Sequence, residues 1–133
     1  MGLFYFRIIK MIVGIGIDLI EIEKIAKDLH SDVYLRKVFT EAEIAACRTS
    51  VNSTEHFAGK FAAKEAFMKA IGNGIRQGVW FTQIEVLNHE SGQPYVQVSG
   101  AASMRLNELG ATNIHVSITH THHAAAAVII IEK

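Results

Sequence analysis

The sequence predicts an α+β fold, and three observations support this prediction. Apolar residues recur at helical spacing over residues 54–71, which indicates a long helix. β-Branched residues concentrate over residues 12–17, and two short strand patterns at 79–88 and 94–98 flank a turn-forming segment, which indicates strands and a hairpin. With 133 residues, half of them apolar, the chain has the length and composition of one domain with one core.

The first half of the chain predicts one strand followed by three helices. Residues 12–17 are typical of a buried strand, which we expect to end at Asp18. Thr40 and Glu43 match a capping box, in which two side chains bond the free amides at a helix start. The predicted helices of this half are 21–29, 40–48 and 54–71.

The second half predicts four strands and one further helix. Residues 89–93 contain glycine and fit a hairpin turn. Ser99 can cap a helix that Gly110 ends. The predicted strands are 79–88, 94–98, 114–118 and 125–131. Over the whole chain the predicted order is therefore β-α-α-α-β-β-α-β-β.

Composition excludes several classes of protein. Thirteen Lys and Arg residues balance thirteen Asp and Glu residues, so the chain lacks the basic excess of a non-specific nucleic-acid binder. No run approaches the roughly 20 uncharged residues of a membrane span, and we expect no membrane partner. Cys47 is the only cysteine, which excludes an internal disulfide and favours the cytoplasm. Met11 resembles a second start, so we expect residues 1–10 to be an N-terminal extension of a single domain over 11–133.

Three smaller patterns could carry chemistry, and each also has a plainer interpretation. Gly14-x-Gly16 follows a strand but lacks the third glycine of a dinucleotide-binding loop. Cys47 lies inside a predicted helix, which favours a packed, inert thiol. A cluster of histidines has two functional interpretations, ligation of a transition metal or a phosphate contact at His120. The plainer interpretation is that His120 only caps a hairpin. The members of the cluster are His115, His120, His122 and His123.

The helix over 54–71 carries the most informative pattern. Lys60 and Lys64 lie one turn apart, as do Glu65 and Lys69, so each pair shares a face of the helix. Such charges are often a solvated surface, but here small residues surround them and confine them to a narrow face. One carboxylate among three lysines fits a metal-bound phosphate, with an oxygen for Mg²⁺ and ammonium groups for the remaining charge.

Four motifs together carry a resemblance to a known family. They are Met-Ile-Val-Gly-Ile-Gly-Ile-Asp at 11–18, Phe-Ala-x-Lys-Phe-Ala-Ala-Lys-Glu-Ala-Phe-x-Lys-Ala at 57–70, Gly-x-Gly at 72–74 and His-Val-Ser-Ile-Thr-His-Thr at 115–121. In this order they resemble the holo-[acyl-carrier-protein] synthases, the single-domain 4′-phosphopantetheinyl transferases. The resemblance implies an antiparallel sheet packed on a long helix. It also implies transfer of 4′-phosphopantetheine from coenzyme A to a serine of apo acyl carrier protein, giving adenosine 3′,5′-bisphosphate, in support of fatty acid biosynthesis.

The resemblance implies roles for individual residues. Asp18 and Glu65 match the family's Mg²⁺ ligands, and Lys69 matches a lysine beside the transferred phosphate. The implied catalytic residues are Glu65 and Lys69. Either Glu65 or a metal-bound water would take the serine proton. Lys24 matches a basic position that docks the acidic carrier protein. The implied substrate-binding residues are Lys60, Lys64, Lys69, Gly92, Pro94, Thr119 and His120.

The resemblance also implies a homotrimer with active sites at the subunit interfaces. Two departures from the family pattern are visible. Lys60 stands where arginine is frequent, which keeps the charge but loses bidentate geometry, and Gln93 stands where a basic residue is commoner. Two alternatives remain open: a non-catalytic coenzyme A or nucleotide-binding module of the same fold, and a structural trimer whose lysines are ordinary surface charges.

Overall fold

Two antiparallel sheets and five α-helices make up residues 9–133, the part of the chain that this computed structural model describes. The strands are β1 (Ile12–Glu21), β2 (Ile84–Asn88), β3 (Pro94–Val98), β4 (Asn113–His120) and β5 (Ala124–Glu132). The helices are α1 (Ile22–Asp28), α2 (Asp32–Val38), α3 (Glu41–Arg48), α4 (Ser53–Ile71) and α5 (Gly100–Leu109). Strand β5 lies between β1 and β4 in one sheet, and β2 pairs with β3 in the other. The predicted α+β class is confirmed.

Helix α4 packs directly on the backbone of β1. A Cβ atom added at Gly16 would lie 1.8 Å from the carbonyl oxygen of Ala66, and one added at Gly14 would lie 2.1 Å from that of Ala70. Both distances are far below van der Waals contact, so only glycine fits at either position. The two glycines therefore set the spacing between β1, which carries Asp18, and α4, which carries Glu65.

The predicted element order omits one helix. The structure has four helices between β1 and β2, because α2 (Asp32–Val38) lies between the first two predicted ones. Its N-terminus is capped by the Ser31 side chain, which accepts a hydrogen bond from the backbone N–H of Tyr34 at 3.2 Å. A helix of seven residues gives too few apolar repeats for a periodic pattern to stand out.

Two predicted strand boundaries are also wrong. Asp18 does not end β1: it pairs with Ala127 of β5, and the ladder continues to Glu21. Strand β2 begins at Ile84 and not at residue 79, because a short 3₁₀ turn (Phe81–Gln83) precedes it. Asp18 thus extends from the middle of a paired strand, where the backbone holds it firmly.

The residue before β1 and the residue after β5 are hydrogen-bonded to each other at one end of the three-stranded sheet. The backbone N–H of Met11 donates to the carbonyl of Lys133, and that of Lys133 donates to Met11, both at 2.9 Å. Of the predicted extension over 1–10, residues 1–8 lie outside the described residues, so this boundary stays a prediction. Within 9–133 there is no helix with the length and apolar character that crossing a membrane requires.

Candidate active site

Asp18 and Glu65 line one cavity of about 270 Å³ between β1, α1, α2 and α4. Lys69, one turn beyond Glu65 on α4, does not line this cavity but reaches Asp18. Its Nζ donates to Asp18 Oδ1 at 3.1 Å and to the backbone carbonyl of Ile17 at 2.9 Å. Three residues to which the resemblance assigns metal and phosphate binding are therefore neighbours in the structure.

The charge balance of this cavity favours a cation. Burial raises the pKa of Glu65, the negative charge of Asp18 raises it further, and the ammonium of Lys69 opposes both effects. Burial is the largest cause of the rise, and the repulsion between the two carboxylates adds to it. A divalent ion between them would remove that repulsion.

The donor set also fits Mg²⁺ in particular. Among the described residues, no group of three or more His, Cys, Asp and Glu side chains is arranged to hold a metal ion. Asp18 and Glu65 therefore offer two carboxylates and leave the other coordination positions to water and substrate. Mg²⁺ is usually bound in this way, through one or two carboxylates together with substrate phosphates.

A second cavity, of about 190 Å³, brings together four predicted substrate-binding residues. They are Lys60, Gly92, Pro94 and His120. The side chain of Lys60 is almost fully buried, and its Nζ donates to the Val86 carbonyl at 2.6 Å and to Asn88 Oδ1 at 3.1 Å. An ammonium has three N–H donors, so these two bonds leave one for a ligand in the cavity.

Thr119 is not part of this second cavity. It neighbours His120 on β4, but adjacent residues of a strand point to opposite faces of the sheet. Thr119 lines a shallow depression with Ile17 and Val128 on the outer face of the three-stranded sheet. Within one chain, the structure therefore separates Thr119 from the other predicted substrate-binding residues.

The predicted substrate contact of Lys64 is contradicted by the structure. Its side chain is fully buried, and its Nζ donates to Glu43 Oε1 at 2.8 Å and to the carbonyl oxygens of Phe81 and Ile84. All three N–H donors are used inside the protein, so none is left for a substrate. Burial lowers the pKa of Lys64, and the carboxylate of Glu43 opposes that shift.

Lys24 of α1 lines the cavity that contains Asp18 and Glu65. Its side chain is exposed to solvent. Asp28, on the same helix, lines the cavity too and reduces the positive charge around Lys24.

Three residues near the two cavities escaped the sequence analysis. Tyr34 lines the cavity of Asp18 and Glu65, and burial, with the charges of Asp28 and Glu65, raises the pKa of its hydroxyl to about 12. Tyr34 is therefore a neutral donor at physiological pH. His56 and Asn88 line the second cavity. Both residues lie outside the four motifs. The one sequence signal for His56 is its position directly before the 57–70 motif.

The histidine cluster does not form a metal site within the described residues. His115 hydrogen-bonds to Glu132 across the sheet, and His122 lies 3.5 Å from Glu55. Of the four histidines, His120 alone lines the second cavity. Cys47 is buried, and burial raises the pKa of its thiol to about 12, which confirms the interpretation of a packed, inert thiol.

Comparison with known proteins places the chain in a family. Residues 14–128 match the model of the 4′-phosphopantetheinyl transferase superfamily. The holo-[acyl-carrier-protein] synthase of Koribacter versatilis is 41% identical over 124 residues, which cover 92% of this chain and 99% of that protein. The holo-[acyl-carrier-protein] synthase of Methylobacterium radiotolerans is 44% identical over 128 residues, which cover 92% of this chain and 94% of that protein.

Solved structures agree with this placement. The holo-(acyl-carrier-protein) synthase of Bacillus anthracis, in complex with CoA (3′,5′-ADP), superposes with a TM-score of 0.76 at 38% identity, covering 92% of this chain and 98% of that one. The holo-[acyl-carrier-protein] synthase of Neisseria meningitidis gives a TM-score of 0.83 at 30% identity, covering 92% of this chain and 100% of that one.

Sequence and fold thus define one class of enzyme, the phosphopantetheinyl transferases. The chain belongs to the 4′-phosphopantetheinyl transferase superfamily and, within it, to the holo-[acyl-carrier-protein] synthase family. The resemblance carried by the four motifs is confirmed.

Proposed function

We propose that this chain transfers 4′-phosphopantetheine from coenzyme A to a serine of an apo acyl carrier protein and releases adenosine 3′,5′-bisphosphate. The observation that supports this most directly is the cavity in which Asp18 and Glu65 meet with Lys69 bound to Asp18. The product carrier protein would serve fatty acid biosynthesis. The lone buried thiol of Cys47 suits the reducing cytoplasm, where we place the enzyme.

Asp18 and Glu65 would hold Mg²⁺ with their carboxylate oxygens. When bound, the ion would neutralise charge on the pyrophosphate oxygens and so favour attack on phosphorus. The other contributions to transfer come from side chains of the protein. The ammonium of Lys69, more than half exposed, is free to move from Asp18 to a phosphate oxygen, where it would stabilise the charge that develops during transfer.

The transfer itself needs an acceptor for one proton. The serine oxygen attacks the phosphorus next to pantetheine, the bond from that phosphorus to the bridging oxygen breaks, and the electron pair leaves with adenosine 3′,5′-bisphosphate. Glu65 lies in the cavity where the serine would attack, and its carboxylate would take the serine proton directly or through a water. Tyr34, which stays protonated, could donate a hydrogen bond in the same cavity.

The second cavity would bind the nucleotide end of coenzyme A. Lys60 has one free N–H donor there, and His120 also lines the cavity. Gly92 and Pro94 border the cavity from the β2–β3 hairpin and offer a narrow, uncharged edge to a base or sugar. Both cavities are lined by α4, so one helix would position both ends of the substrate.

We propose that the acidic carrier protein docks beside α1 through Lys24. Glu21, Glu23 and Asp28 dilute the positive charge of this surface, so the interaction would be of moderate strength and sensitive to salt.

We further propose that the enzyme is a homotrimer with active sites at the subunit interfaces. Three large apolar side chains on the outer face of β1 support a subunit contact: Ile15, Ile17 and Leu19 are 64%, 67% and 71% exposed. Thr119 lines the same face beside Ile17, where a neighbouring subunit would bring it close to a second active site.

The mass of an apo carrier protein, incubated with this protein, coenzyme A and Mg²⁺, tests the proposal. We expect a gain of one phosphopantetheine group, and no gain after chelation of the divalent ion. An unchanged mass, with coenzyme A still bound in calorimetry, would favour the non-catalytic binding module. Failure to bind coenzyme A at all would favour a structural assembly.

A further inference from the structure

His56 brings a second imidazole to the cavity that we assign to the nucleotide. It lies in the first turn of α4, outside the four sequence motifs, and its side chain lines the cavity while remaining partly exposed. Its ring centroid is 6.1 Å from that of His120 on β4, and both rings line the cavity together with Lys60. A ligand in this cavity would therefore lie within reach of two imidazoles and one ammonium.

The charged groups that face His56 come from two elements. Helix α4 contributes Lys60 and Glu55, and β4 contributes His120. The Oε1 atom of Glu55 lies 3.5 Å from Nδ1 of His122. The β2–β3 side of the cavity contributes only uncharged groups, which are Asn88, Gly92 and Pro94.

These neighbours make the protonated form of His56 costly while the cavity holds no anion. Partial burial lowers the pKa of His56, the charges of His120 and Lys60 lower it further, and Glu55 opposes them. While the cavity holds no anion, positive charges on His56, His120 and Lys60 therefore repel one another. A phosphate dianion would reverse the balance, because each cation would then face an opposite charge.

We propose that His56 is a further binding residue for the phosphorylated nucleotide end of the substrate, and that it takes up a proton from solvent when that phosphate binds. Binding of the nucleotide then tightens as the pH falls. The identity of the ligand rests on the proposed function; the pair of imidazoles and the lysine are features of the cavity itself.

The direction of the pH effect follows from the two states of His56. In the free protein its pKa lies below the ordinary histidine value, so the ring is neutral at neutral pH. In the complex the phosphate favours the imidazolium and raises the pKa. Between these two pKa values each binding event takes up a proton, and above both of them His56 contributes no charge.

Calorimetric titration of the intact protein with adenosine 3′,5′-bisphosphate tests this inference. The titration is run between about pH 6 and pH 8, on either side of the ordinary histidine pKa, in two buffers with different ionisation enthalpies. The difference between the two buffers gives the number of protons taken up. We expect His56→Gln to take up fewer protons than the wild type, and to bind roughly tenfold more weakly at the acidic end, as a pKa change of about one unit would give. The two proteins should converge at the alkaline end.

Two further variants isolate the effect of His56. His30→Gln removes an exposed histidine between α1 and α2 that lines neither cavity, and it should behave as the wild type. His120→Gln weakens binding but should retain the proton uptake of His56. Equal proton uptake by His56→Gln and the wild type, or a loss of affinity in His56→Gln that is the same at every pH, would overturn the inference.

The carrier-protein assay keeps this inference separate from the proposed function. If the wild type modifies the carrier protein while His56→Gln shows unchanged proton linkage, the role of His56 is wrong and the function stands. If the wild type binds the bisphosphate with proton uptake that depends on His56 but modifies no carrier protein, the proposed function is wrong and the role of His56 stands.

Discussion

The Nζ atom of Lys64 donates a 2.8 Å hydrogen bond to Oε1 of Glu43, and both side chains are fully buried. The same carboxylate accepts from the backbone N–H of Thr40 and from that of Val86, each at 2.8 Å. Glu43 thus connects the start of α3, strand β2 and helix α4 at one point. Because Glu65 follows Lys64 directly, this buried pair also fixes the stretch of α4 that carries the proposed metal-binding carboxylate.

Lys64→Met should destabilise the protein by about 3–5 kcal/mol, because it leaves the buried carboxylate of Glu43 without its cation. The free energy of unfolding, measured by denaturant titration, gives the effect. Adding Glu43→Gln to Lys64→Met should recover part of the loss, since no buried charge then remains. Lys69→Met removes an exposed lysine from the same helix and should change the free energy of unfolding by no more than about 1 kcal/mol. An equally small effect of Lys64→Met would contradict the buried ion pair.

Gly16→Ala should destabilise the protein by about 1–3 kcal/mol or more, because its Cβ would collide with the Ala66 carbonyl oxygen at 1.8 Å. Relief of this collision requires β1 to move away from α4, so transfer activity should fall as well. Gly74→Ala is the matched control: its φ is negative, and a Cβ there would meet no atom closer than 4.0 Å. Equal melting temperatures of Gly16→Ala and Gly74→Ala would argue against the close β1–α4 contact.

Asp18→Asn and Glu65→Gln should each lower kcat/KM for phosphopantetheine transfer by about 10²-fold or more, since each would remove a charged ligand of the proposed metal ion. Circular dichroism should show a retained fold, because neither side chain belongs to the buried core. Asp32→Asn removes an exposed carboxylate on α2 and should leave transfer unaffected. Full activity of either active-site variant would remove that residue from the proposed metal site.

Lys24→Glu should raise KM for the carrier protein by roughly three- to tenfold and leave KM for coenzyme A unchanged, because Lys24 belongs to the proposed docking surface beside the cavity. Lys27→Glu makes the same change of charge on α1 at a position that does not line the cavity, and its effect should be smaller. The effect of Lys24→Glu should diminish at high salt, where surface charges are screened. Unchanged kinetics with the carrier protein would place the docking surface elsewhere.

Sequence patterns predicted the elements with strong local signals. Helix α4 is confirmed at its C-terminal end, where Gly72 adopts a left-handed conformation with φ of 70°, and the Thr40–Glu43 capping box is present as expected. Helix α2 was missed because its seven residues give no clear period. The extension of β1 beyond Asp18 was missed because pairing with β5 decides where the strand ends, and the local sequence does not.

The sequence could not distinguish the two lysines of α4. Lys60 and Lys64 have the same chemistry and lie one turn apart, yet Lys60 retains a donor for a ligand while Lys64 uses all three. The difference arises from Glu43, which lies on another helix and is brought to Lys64 only by the tertiary fold. His56 was overlooked for the same kind of reason, because it gains a role only when β4 brings His120 beside it.

Strand β1 has two faces with opposite chemistry. Ile17 and Leu19 point out to solvent, while Asp18 between them points toward α4. In the proposed homotrimer, the neighbouring subunit that covers these two apolar side chains would also hold the peptide units on either side of the acid in place. Turnover per molecule should therefore decline when the protein is diluted far enough for its copies to separate, even though every chain keeps its own Asp18.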